Sequence, residues 1–232
     1  MIPFTSISWS TLKFFLQFFM EKINQGELEN VSGPDFRHAI SAKINQIVFI
    51  PLDEFPPELL EEIADEYLLM LGLKITIHEP ISVDRIAMDY KRGQYIGEEV
   101  IKSVILQLTE LSEDPTVLLI AFTSTDIYIG WKRNWRFAFA LRVLGRFAVV
   151  STARMDPEAF GAEEDDALLM DRIRKMVSKT IGGFYYGLPE RTDKSSVMFS
   201  PILGVNDLDE VSPEYDELDL ERIVESGKYK ES

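Results

Sequence analysis

"RIRKMVSKTIGGFYYGLPERTDKSSVMF", Arg172 to Phe199, is the stretch on which the fold turns. Its first half reads as an amphipathic helix, and Gly187 supplies the stop. A short polar loop containing Arg191 to Lys194 follows, then an apolar run from Val197 to Phe199 around Met198. Such a run is hard to place anywhere but the core.

Working outward, the acidic "PEAFGAEEDD" leads into this helix, and Glu163 to Asp166 read as a solvated loop, with cation binding the less favoured account. Upstream, "FAFAL" and "RFAVVSTAR" read as two strands joined by a tight turn at Gly145. "TVLLIAF" is continuously apolar, the pattern of a strand buried on both faces. A helix is expected from about Gly93 to Leu111, with Tyr95, Val100, Val104 and Leu108 on its apolar face. "LKITIHE" alternates like a strand, and Ile47 to Ile50 form a buried one. Between them Pro56 and Pro57 open the helix "PELLEEIADEYLLMLG", which Gly72 ends. The order is βαβαβββα, an α/β (α+β) arrangement of helices packed on a mixed sheet.

The chain has 232 residues, 46% of them hydrophobic, enough for one substantial core. A net charge of −15 argues against nucleic-acid binding, which needs clustered Lys and Arg. With no cysteine there is no disulfide, thiolate nucleophile or zinc-thiolate site, which fits a reducing, cytoplasmic setting. Residues 1–42 read as an N-terminal helical extension and linker; the apolar run Leu12 to Met20 is too short to span a bilayer. Residues 43–205 read as the main domain. Residues 206–232 hold ten Asp or Glu against three Lys or Arg, and are expected to be a largely disordered acidic tail.

Four stretches in order resemble the archaemetzincins, small metzincin-type zinc peptidases with a zincin-like fold. They are "IVFIPL…PPELLEEI", "YKRGQYIGEEVI", "STDIYIG" with "FAFALRVLGRFAVVSTARM", and "LLMDRIRKMVSKTIGGFYYGLPE…SVMFSP". The resemblance implies a long zinc helix, H-E-x-G-H-x-x-G-x-x-H, followed by a Met-turn. Set on Gly183 and Gly187, it puts Thr180 at the first ligand histidine, Ile181 at the general-base glutamate, Phe184 at the second histidine and Glu190 at the third. Met198 falls in the Met-turn, with Ser196 where the family has cysteine.

A catalytic zinc needs about three protein ligands and an open position for water. Thr180 is a poor ligand, Phe184 none, and Ile181 moves no proton. Glu190 offers one carboxylate. His38 and His78, the only histidines, form no H-x-x-x-H pair. Asp126 and Tyr128 read as fold-keeping, and Ser195 and Ser196 have no histidine nearby in sequence. The expectation is therefore a member without zinc, acting as a peptide- or protein-binding module. Its binding edge would be the strand carrying Phe137 and Phe139. The alternatives are a hydrolase with a recruited metal and a structural subunit docking through its N-terminal helix.

Overall fold

The structure, a computed structural model, describes residues 43–132 and 134–229. The expected N-terminal helix, the linker and His38 lie outside the described residues. Strand β1 (Gln46–Pro51) is buried at every position but its first. Helix α1 (Pro57–Leu71) follows, with Leu60, Ile63, Ala64 and Tyr67 on its buried face, the spacing of an amphipathic helix. Gly72, at φ 60°, ends it in the left-handed conformation that glycine tolerates best. Then come β2 (Ile75–Ile77), β3 (Met88–Asp89), β4 (Gln94–Ile96), α2 (Gly97–Gln107) and α3 (Thr109–Glu113). Next are β5 (Val117–Thr123), β6 (Ile127–Tyr128), β7 (Ala140–Val143) and β8 (Phe147–Ser151). The long helix α4 (Asp166–Ile181) runs into a π-helical turn, Gly182–Tyr186.

The main sheet has the order β2-β1-β5-β8-β7. Its pairs are parallel except β7 with β8, so β7 is an antiparallel edge. Every residue of β5 is buried, as its continuous apolar content requires. Strands β3, β4 and β6 form a second, three-stranded sheet. Here the sequence expectation of one helix from Gly93 differs from the fold. Gly93 turns the chain at φ 65°, and Tyr95 pairs with Met88 and Ile127 before α2 begins. Helices α1 and α4 lie together: Arg174 bonds Glu62 and Glu66, and the Tyr67 hydroxyl meets that of Ser178.

The acidic tail is a correction. Residues 205–225 form α5 (Val205–Glu210) and α6 (Glu217–Glu225), and Leu208 and Ile223 join the same core as the strands. A core boundary at residue 205 is therefore absent. The acid content misleads because several carboxylates have cationic partners. Arg172 grips Asp209 with two bonds of 2.7 and 2.8 Å, and Lys194 meets Asp207 and Glu210. Composition counted charge; the fold pairs it.

Candidate functional site

Asp165 opens α4 as its N-cap, accepting the Leu168 amide. One member of the expected solvated acidic loop is therefore a cap. At the far end Thr180 and Ile181 are fully buried. The next turn is wound with the wider π spacing, and Gly187, at φ 74°, closes it. This turn carries Phe184, Tyr185 and Tyr186 into the core, with Phe184 only 5% exposed. Tyr185 and Tyr186 meet edge to face, their centroids 4.9 Å apart.

Met198 lies against this segment. It is 1% exposed, and a Cβ placed on Gly182 would come within 2.5 Å of its sulfur. The adjacent Ser196 is also fully buried; its hydroxyl donates to Asp219 Oδ2 at 2.6 Å and accepts the Met198 amide. Arg191 reaches the other Asp219 oxygen at 2.8 Å. The turn is thus pinned to α6 by a buried polar network. Its members were written in the sequence, but nothing in their spacing joined residue 196 to residue 219.

A cleft of about 760 Å³ opens between the β7 side of the sheet, the end of α4 and the chain after Met198. It is lined by Phe137, Phe139, Phe184, Met198 and Glu190 among others. Of the expected site residues, these five share the cleft. Thr180 and Ile181 are buried near it but do not line it. Phe137 and Phe139, set edge to face at 5.2 Å, sit just before β7 rather than within it. Ala138, between them, forms an isolated antiparallel bridge with Ile127.

Two cleft residues escaped sequence reasoning. Arg142, on β7, donates from Nε to the Thr180 hydroxyl at 2.8 Å, and that hydroxyl donates to the Met176 carbonyl. Burial lowers Arg142 to about 10. Lys179 donates to the Phe199 carbonyl; burial first, then the neighbouring Arg142, lower it to about 8. The available signal was alternation. In "AFALRV" the small residues Ala138 and Ala140 share a strand parity with Arg142, leaving room beside an arginine.

The other candidates have structural partners. Asp126 accepts from Gln94 and Arg154, and Tyr128 donates to Asp89 at 3.0 Å. His78 bonds the neighbouring Glu79 carbonyl, and Ser195 is exposed. Among the described residues, no group of three or more His, Cys, Asp and Glu is placed to hold a metal ion. No described helix is long and apolar enough to cross a membrane.

The family model for Peptidase family M54 matches residues 48–224. The archaemetzincin of Pyrococcus furiosus is 27% identical over 161 residues, 66% of this chain and 80% of that protein. That of Haloarcula marismortui is 28% identical over 167 residues, 70% of this chain and 91% of its own. A solved zinc-dependent peptidase from Methanocorpusculum labreanum superposes with a TM-score of 0.64 at 20% identity, covering 76% of this chain and 99% of that one.

Proposed function

We propose, for a chain that belongs to Peptidase family M54, the binding of an extended peptide or protein segment beside edge strand β7 without hydrolysis. The observation that carries this reading is the chemistry at the end of α4. The family's zinc does not fit the residues present. The Thr180 hydroxyl is already committed to the Met176 carbonyl and the Arg142 guanidinium. Phe184 has no donor atom for a metal, and an arginine bonded to Thr180 repels a dication. Glu190, alone and exposed, leaves a tetrahedral site two ligands short. Ile181 stands where a general base would be needed and carries no titratable group.

What remains is the frame. An edge strand presents unpaired backbone groups along one side, and an extended segment can add to it as a further strand. Beside β7 the cleft offers Phe137, Phe139 and Phe184 as apolar contacts. Filling the old site with aromatic and aliphatic bulk also avoids unpaired buried polar groups, each worth ~1–3 kcal/mol of destabilisation.

The test is a set of extended peptides presented to the full chain with zinc supplied, measuring binding and cleavage separately. Binding that leaves the peptides intact is expected. Cleavage that appears with zinc and stops with a chelator would instead establish a hydrolase with a recruited metal.

A further inference from the structure

We propose that the cleft receives a carboxylate of its peptide in a seat made by Arg142 and Lys179, an inference that rests on the peptide-binding reading above. Both residues line the cleft. Arg142 spends Nε on Thr180 and one Nη2 bond, at 3.3 Å, on the Met176 carbonyl; Nη1 meets no acceptor among the described residues. Lys179 gives one of its three donors to the Phe199 carbonyl. Neither has a carboxylate oxygen within 4.0 Å among the described residues.

The other cations of α4 differ. The other basic residues near the same helix are matched: Arg172 with Asp209, Arg174 with Glu66, Lys175 with Asp171. The chain carries a net charge of −15. Yet among the described residues the cleft lining contains Lys132, Arg136, Arg142 and Lys179 against a single acid, Glu190. Lys132 and Arg136 are exposed at the rim, while Lys179 is 6% exposed and Arg142 half-buried. Glu190 acts on both from beyond 4.0 Å, and two cations held largely out of water against one exposed carboxylate are unfavourable unless a further anion completes them. A guanidinium presents paired donors in the plane and spacing of a carboxylate, and an ammonium beside it adds a second positive charge. The apolar wall of Phe137, Phe139 and Phe184 then takes whatever side chain the carboxylate carries.

The carboxylate can come from a peptide's C-terminus or from an Asp or Glu side chain. Three probes separate these on the full chain by calorimetric titration at pH 7: N-acetyl-phenylalanine, its amide, and the amide of N-acetyl-phenylalanyl-glutamate. At least one acid should bind ~10-fold or more tighter than the uncharged amide. Whichever acid binds tighter names the source. The preference should collapse in Arg142→Gln and weaken in Lys179→Met. Equal binding of acids and amide, or a preference that survives Arg142→Gln, would overturn the seat. Should Arg142→Gln not fold, the comparison on the unmodified chain with Lys179→Met still decides. These probes have too little main chain to extend a sheet. Failure of the acids while a long peptide amide binds would therefore remove the seat and leave the edge-strand reading standing.

Discussion

A single missing Cβ separates two neighbouring glycines in their consequences. A Cβ on Gly182 would meet Met198 at 2.5 Å and the Tyr215 ring at 2.9 Å, and Tyr215 is held by its bond to the Ser178 carbonyl. On Gly183 it would meet only the Met198 terminal carbon, at 3.9 Å. Gly182→Ala is therefore expected to destabilise by about 2 kcal/mol through overpacking. Gly183→Ala should be neutral or slightly stabilising, since alanine favours helix. Thermal unfolding of the pair checks both. Lys179 makes a different kind of prediction. Its folded pKa is lowered to about 8 from about 10.5, so over that interval the unfolded chain holds more protons than the folded one. Stability then rises with pH from about 8 towards 10.5, and the full penalty of the buried charge is present below 8. Lys179→Met should be more stable than the parent at pH 7 by about 2 kcal/mol, the lost Phe199 bond offsetting part of the gain. The advantage should fade as pH approaches 10.5, read as the difference between denaturation curves; Lys228, also lowered to about 8, cancels in that difference.

Among the elements, those with strong periodicity were legible in the sequence and those made by tertiary pairing were not. Helix α1, with four buried residues at helical spacing between a proline pair and Gly72, could be read directly. So could β5 and the long α4. Strands β3 and β4 could not, because two or three residues have no period; they exist through partners supplied by residues near 127. The same blindness hid the relation of α4 to the chain after it. Arg172, Lys175 and Lys179 follow one another by three and four residues, which in isolation describes a solvated basic stripe. In the fold all three are buried, and each takes hold of the later segments, at Asp209, the Leu208 carbonyl and the Phe199 carbonyl. The site was half legible for a related reason. Thr180, Phe184 and Glu190 were set at the family's ligand positions by resemblance alone, whereas Arg142 acquires meaning only when β7 is laid beside Thr180. Helix α6 is held by Asp219, fully buried between Ser196 and Arg191. Asp219→Ala should destabilise by about 2 kcal/mol, because it leaves the buried Ser196 hydroxyl without its acceptor and Arg191 with Asp216 alone. Ser196→Ala should lose only about 1 kcal/mol, and calorimetric melting would rank the two.

For the whole molecule, the late helices are part of the core rather than an accessory. A chain ended after Gly204 would lose Leu208, Ile223, and the acids Asp209 and Asp219 that pair with Arg172 of α4 and with Arg191. It should unfold without a sharp transition and be cut by protease under conditions that leave the full chain intact; a two-state melt of that shortened chain would contradict this. The final feature is Lys228. Its ammonium donates to the Ile44 carbonyl at 2.8 Å and to the Tyr185 carbonyl at 2.7 Å, so residues 184 positions apart meet across one side chain. The described fold is therefore nearly a ring. Joining residue 229 to residue 43 by a few glycines and breaking the backbone at the exposed Gly161–Glu164 segment would produce a circular permutant that keeps every strand pairing. In that permutant α4 would begin the polypeptide, and the cleft would be assembled from its first and last elements.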